Sequence, residues 1–202
     1  KQHRFDSVIH LAARKQVGES VQKPEEYFLE NLGGLANLLL AMREVGLKSL
    51  VFSSSAATYG MPDVDKVSED YPGVPINPYG QTKLIGELMV KNAEVWGLKG
   101  VNLRYFNVAG ADPQARSGQS TAGATHLIKV AIEAALGMRE SVSVFGTDYA
   151  TPDGTGVRDY IHVSDLAAAH VLALQALAQQ PGRSMLMNCG YGRGFSVNEV
   201  LD

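Results

Sequence analysis

The sequence predicts an α/β fold built on a parallel sheet, and three observations predict it. Short apolar, β-branched runs recur as SVIHLA, LVFSSS and GVNLRYF. Helix-length stretches separate them, giving a β-α-β-α-β order that implies parallel neighbours and right-handed crossovers. Polar residues stand at the carboxyl ends of all three runs, the edge at which open α/β sheets bind ligands.

Ser7–Ala12 reads as the first strand, short and apolar. Pro24–Val45 reads as a long helix closed by Gly46. Gly33 and Gly34 lie inside it, each costing roughly 1 kcal/mol against alanine, and a close-packing demand is the expected reason for the pair. Ser49–Ser54 is the next strand. Pro62–Pro78 is a proline-rich loop. Pro78–Trp96 is a helix with Asn77 as its cap and Pro78 at its first position. Gly100–Phe106 is the third strand.

Beyond Asn107 the pattern loosens. Ala111–Ala122 reads as a loop, Gly123–Leu136 as a helix and Ser141–Phe145 as a short strand. Tyr149–Val157 is irregular, Arg158–Val163 extended, Ser164–Ala178 a helix and Met185–Cys189 a last strand. Ser196 and Glu199 have capping-box spacing.

Bulk properties narrow the function classes. The 202 residues carry a net charge of −3, too small and too mixed for a nucleic-acid or membrane-surface protein. The longest alanine- and leucine-rich stretch, Leu166–Leu177, is broken by His170 and Gln175 and is too short to span a bilayer. The single cysteine, Cys189, permits a reducing compartment and no intrachain disulfide. No metal site is expected, because His10, His126, His162 and His170 lack ligand spacing with Cys189 or with any carboxylate pair. Asp148, Asp153, Asp159 and Asp165 read as turn, cap and surface residues. No G-x-S-x-G occurs, so the serine run does not indicate a hydrolase.

Tyr79-Gly80-Gln81-Thr82-Lys83 carries the chemistry. Tyr79 and Lys83 lie four residues apart on one helical face. A nearby ammonium and the positive start of the helix both favour a phenolate. Moving a tyrosine pKa by three units takes roughly 4 kcal/mol of differential stabilisation, and the result is a usable base near neutrality. Ser53-Ser54-Ser55, Ala12-Ala13-Arg14-Lys15 and Asn107 end the three strands beside this helix start. Spacing alone does not separate Ser55 from Ser53, which shares its strand face.

VIHLAA, the Lys15–Pro24 run, SSSAATYG, NPYGQTK, RYFNVAGAD and DGTGVRDYIHV stand in order along the chain. Together they resemble the extended short-chain dehydrogenases and, within them, the UDP-glucose 4-epimerases. The resemblance covers essentially the whole chain. It implies a Rossmann-like, doubly wound parallel sheet over residues 1–110, its first strands missing. Residues 111–202 would be mostly UDP-sugar-binding, with elements returning to the sheet. No G-x-G-x-x-G type turn occurs near a first strand, so the chain reads as part of a longer protein, and the isolated piece is expected to be inactive.

By the same resemblance Tyr79 is the catalytic base, Lys83 the lysine that tunes it and binds the nicotinamide ribose, and Ser55 the hydroxyl reaching the sugar O4. Ala12, Ala13, Lys15, Asn31, Ser53 and Phe106 match the cofactor-lining positions, the cofactor being NAD. Asn107 matches a residue contacting the substrate diphosphate, with Lys15, Ser55 and Tyr79 also facing substrate. His126 and Leu127 fall at the nucleotide pocket, Ser143, Val144 and Phe145 on its uracil-contacting strand. Arg158 matches a diphosphate-binding arginine with Tyr160 beside it, although Arg158 could instead pair with Asp159 or Asp165.

The implied activity is NAD-dependent epimerisation at C4 of UDP-glucose or UDP-galactose through a 4-keto sugar, in galactose metabolism. The alternatives are a 4-epimerase of another UDP-sugar (N-acetylated, pentose or glucuronate) and a non-catalytic NAD sensor. Sensors usually lack the tyrosine or lysine, and dehydratases carry an acidic pair where Ala56-Ala57 stand here. The resemblance also implies a cytoplasmic homodimer formed through helices 24–45 and 78–96.

Overall fold

The computed structural model describes residues 4–121, 123, 125–180 and 183–202. Among these, the strands are β1 (Val8–His10), β2 (Ser49–Ser55), β3 (Lys99–Tyr105), β4 (Asn107–Ala109), β5 (Val157–His162), β6 (Met185–Cys189) and β7 (Gly194–Ser196). The α-helices are α1 (Val17–Gln22), α2 (Pro24–Tyr27), α3 (Gly33–Val45), α4 (Pro78–Asn92), α5 (Leu127–Ala135), α6 (Val163–Gln179) and α7 (Val197–Leu201). They form two compact units. One comprises the chain up to Tyr105 with Ala167–Cys189, the other Phe106–Leu166 with Gly190–Asp202.

The first unit holds a parallel sheet in the order β1-β2-β3-β6. The central strands β2 and β3 are buried along five consecutive residues each, as parallel strands covered on both faces must be. Leu50 and Phe52 of β2 pack with Leu35, Leu39 and Met42 of α3 and Val90 of α4. Gly86 permits that approach, since a Cβ there would lie 2.5 Å from Phe52 Cζ. Ser54 and Arg104 share the Phe52 face, toward α4, while Ser55 and Tyr105 point to the other face, where Tyr105 meets α6.

The expected helix over Pro24–Val45 forms as α2, a π-helical turn at Phe28–Leu32, and α3. Gly46 ends it with φ +74°, and Leu47 N–H closes onto Met42 C=O at 2.8 Å. Close packing within this chain does not account for the glycine pair. A Cβ at Gly34 would meet nothing within 4 Å, and one at Gly33 only Leu29 Cδ1 at 4.0 Å. The Pro78–Trp96 helix forms as α4 continued by a 3-10 turn over Ala93–Trp96. Asn77 Oδ1 accepts from Gly80 N–H at 2.8 Å, as its capping role requires. The first strand is shorter than expected because pairing with β2 stops at His10↔Phe52, leaving Ala12 exposed and irregular.

In the second unit β4 pairs parallel with β5, and β5 antiparallel with β7. Ser196 and Glu199 make both bonds of the capping box at the start of α7. Two sequence expectations fail here. The helix expected from Gly123 starts at Leu127, because Gly123 has φ +66° and a right-handed helix cannot include it; Ala122 and Ala124 lie outside the described residues. Ser141–Phe145 forms no strand: these residues have no ladder partner, and Phe145 is 86% exposed.

Candidate active site

The first unit brings Ser53, Ser55, Tyr79 and Lys83 together. Pro78 and the Asn77 cap fix where α4 begins, which puts Tyr79 in its first turn and Lys83 one turn on. Ser55 ends β2 and caps the 3-10 turn Ala56–Tyr59, its Oγ accepting from Ala57 N–H at 3.1 Å. That leaves the Ser55 hydroxyl proton for Tyr79, with which it hydrogen-bonds. Lys83 is 4% exposed, its Nζ donating to the Ser53 carbonyl at 2.7 Å and lying 5.8 Å from the Tyr79 ring centroid. Ser53 and Ser55, indistinguishable by spacing, thus differ in placement. The Ser53 side chain acts on Tyr105 and its carbonyl holds Lys83.

The electrostatics differ from the sequence expectation. Burial pushes the Tyr79 phenol above its ordinary pKa, and the Ser55 hydroxyl pulls it only partly back. Lys83 is itself lowered to about 8 by burial. Its ammonium is directed at a carbonyl rather than at the phenol oxygen, so proximity on one helix face does not make it the dominant influence on Tyr79. His10, stacked on Phe52, is held below its usual value by burial and then by Lys83.

Asn31 is 7% exposed and sits in the π-helical turn. Its Oδ1 accepts from Arg14 N–H at 2.8 Å, and its Nδ2 donates to Arg14 C=O and Thr82 Oγ1, both at 3.1 Å. It therefore ties the Ala12–Lys15 segment to α4 one residue before Lys83. Ala12, Ala13 and Lys15 are exposed in that segment. A buried ammonium with one of its three N–H groups on Ser53 suits the ribose hydroxyls of a nicotinamide nucleotide.

The remaining expected residues belong to the second unit. Asn107 and Tyr160 are Cα partners in β4 and β5, and Arg158 lies two residues before Tyr160 on the same strand face. Burial raises the Tyr160 pKa and Arg158 opposes it. Arg158 is exposed and donates to its neighbour Val157 C=O at 2.7 Å. Asp159 accepts from Tyr191 and Gly192 N–H, and Asp165 from the Tyr191 hydroxyl; among the described residues neither forms an ion pair with Arg158. Phe106 directly precedes β4 and is half-buried. His126 and Leu127 stand at the start of α5. Ser143, Val144 and Phe145 lie in the irregular segment rather than on a strand.

Sequence reading missed a buried ion pair beneath the site. Glu87, one turn beyond Lys83, accepts from Arg104 Nε at 2.9 Å and Nη2 at 2.7 Å, and from the Ser54 hydroxyl. Arg104 stacks on Tyr59 at 4.6 Å, and the Tyr59 hydroxyl donates to Asn188 Oδ1 at 2.7 Å. The i, i+4 spacing of Tyr79, Lys83 and Glu87 was the available signal. Among the described residues no cluster of His, Cys, Asp and Glu could hold a metal, and no helix is long and apolar enough to cross a membrane.

A parallel sheet with a Tyr-x-x-x-Lys helix against the carboxyl end of a serine-bearing strand defines a short-chain dehydrogenase type of protein. Residues 1–190 match the model of the NAD dependent epimerase/dehydratase family, and the chain belongs to that family. It is 56% identical over all 202 residues to the UDP-glucose 4-epimerase of Azospirillum brasilense, covering 58% of that protein. It superposes with TM-score 0.93 on the UDP-glucose 4-epimerase of Brucella ovis in complex with NAD, at 48% identity over 96% of this chain and 60% of that one. The UDP-Glc/GlcNAc 4-epimerase of Campylobacter jejuni matches at TM-score 0.81 and 46% identity, over 98% of this chain and 60% of that one. The chain thus spans about 60% of the length of the relatives it matches.

Proposed function

We propose that the complete protein is a UDP-hexose 4-epimerase interconverting UDP-glucose and UDP-galactose in galactose metabolism, in the cytoplasm. The observation that carries this reading is the Ser55–Tyr79–Lys83 arrangement, in which a half-buried phenol bonds the serine hydroxyl whose proton is left to share. NAD, when bound, supplies hydride acceptance from C4 and its return. Tyr79 takes the proton of the sugar 4-hydroxyl with Ser55 in the hydrogen-bond path, and gives it back after the 4-keto sugar has turned over. Lys83 holds the nicotinamide ribose through the N–H groups that Ser53 leaves, and Ala12, Ala13, Lys15, Asn31, Ser53 and Phe106 serve the cofactor. The Lys83 ammonium is a secondary aid to the phenolate form of Tyr79, after the Ser55 hydroxyl.

Turning the sugar over requires that the nucleotide stay anchored. Arg158 supplies that anchor, because a guanidinium grips phosphate oxygens through a planar fork. Asn107 and Tyr160 assist, with His126, Leu127, Ser143, Val144 and Phe145 receiving the nucleoside. The test supplies UDP-galactose and NAD+ to the complete protein and measures UDP-glucose; absence of conversion refutes the reading. The name of the Campylobacter jejuni relative favours a second substrate class. Activity on UDP-N-acetylglucosamine exceeding that on UDP-glucose would move the assignment there.

The same proposal includes a homodimer through α3 and α4. A groove of about 380 Å3 between them is lined by Ala36, Leu40, Met89 and Trp96 among others. Leu40 is 63% exposed, and the open space over Gly34 suits a close helix–helix approach.

A further inference from the structure

Three groups, two of them buried and Tyr105 half-buried, continue from Lys83 away from the reacting edge. Lys83 Nζ donates to the Ser53 carbonyl at 2.7 Å. Ser53 shares a sheet face with Ser55, the register partner of Tyr105, so its hydroxyl is a diagonal neighbour within reach of the Tyr105 hydroxyl and acts on it. That hydroxyl lies 2.5 Å from His170 Nε2 on α6, with the two rings edge to face at 5.4 Å. Ser53 and His170 are both 8% exposed, so neither exchanges its partner for bulk water. Tyr105 is also the register partner of Ser55 across β2 and β3, which places its ring beside the strand end that carries the Tyr79 contact.

The chain of bonds has a direction. A phenol has one proton and here faces two partners. Burial raises the Tyr105 pKa to about 12, so the hydroxyl keeps that proton at neutral pH. If it is given to His170, the Tyr105 oxygen is left to accept from Ser53. With the Ser53 hydroxyl so directed, the residue is held by its side chain on one side and by Lys83 at its carbonyl on the other.

We propose that His170 is a positioning residue for the Tyr79–Lys83 pair, accepting the Tyr105 hydroxyl proton and thereby fixing Ser53, the residue on which Lys83 is seated. The inference rests on the epimerase reading for its kinetic consequence and on the hydrogen bonds alone for its structural one. A role confined to stabilising the fold would lower the amount of folded enzyme and leave turnover per folded molecule intact.

The experiment compares His170→Gln, His170→Leu, Tyr105→Phe and the double variant Tyr105→Phe/His170→Leu in the complete, NAD-loaded enzyme. His170→Leu should lower kcat by about 10- to 100-fold with KM changed less than about twofold, as expected for lost positioning. His170→Gln keeps an acceptor near Nε2 and should recover kcat to within about threefold of the parent. The double variant should be no slower than the slower single one, since both remove the same bond. In 15N-histidine spectra His170 Nε2 should appear as an unprotonated acceptor nitrogen whose resonance moves in Tyr105→Phe. Parental kcat in His170→Leu, no recovery in His170→Gln, or multiplying losses in the double variant would overturn the proposal. If His170→Leu does not fold, His170→Gln, Tyr105→Phe and the spectra decide. If the unsubstituted enzyme converts no UDP-hexose, the epimerase reading fails, and the 15N resonance alone upholds or overturns the bond.

Discussion

Removing Glu87 should destabilise the protein more than any single exposed charge could. The carboxylate and the Arg104 guanidinium are 7% and 5% exposed at their side chains and meet through two N–H···O bonds. Truncation to alanine leaves a buried cation whose Nη1 already has no hydrogen-bond partner, and leaves the Ser54 hydroxyl without its acceptor. Breaking one side of such a pair costs about 3–5 kcal/mol. A loss of about 3–5 kcal/mol corresponds to a fall in Tm of roughly 6–20 °C for a protein of this size. The assay is thermal unfolding followed by circular dichroism at fixed NAD concentration. Replacing both partners, as Glu87→Leu with Arg104→Met, removes the burial cost of the charges with the attraction, so most of the lost stability should return. A Tm drop below about 2 °C for Glu87→Ala would refute the reasoning, as would a double variant less stable than the single.

Three further outcomes follow from the same structure. Lys83, lowered by burial to about 8 from 10.5, binds its proton less tightly folded than unfolded, so stability should rise with pH from about 8 to 10; urea midpoints across that range should rise in the parent and stay flat in Lys83→Met. Asn31→Leu strands Arg14 N–H and C=O and should cost about 2 kcal/mol, measured by urea unfolding, together with weaker NAD+ binding in calorimetry. Leu40→Glu places a charge on the apolar groove between α3 and α4 and should convert the proposed dimer to monomer in sedimentation velocity without lowering Tm, since Leu40 is already exposed.

What was legible in the sequence was whatever depends on local pattern. Strands β2, β3 and β6 announced themselves as continuous apolar runs, and α4 by its Asn77-Pro78 start. Ser141–Phe145 shows the limit of such patterns: its residues alternate well enough, but a strand needs a partner, and sequence does not state whether one is near. Strands β4 and β7 escaped notice because three residues are too few to show a period. The direction of the Tyr79 shift was missed for a related reason. Spacing reveals that a lysine is close, whereas the depth of burial and the carbonyl that Lys83 faces emerge only when β2 and α4 are packed. His170 looked like an interruption in an alanine-rich helix; its partner Tyr105 lies 65 residues away.

The central claim is that the Tyr79 hydroxyl performs the proton transfer. Its most direct test is kcat for UDP-galactose in the complete enzyme carrying Tyr79→Phe, which removes one oxygen atom and leaves the ring in its packing. The account predicts a fall of roughly 100-fold or more with NAD still bound. Turnover within about threefold of the parent would contradict it.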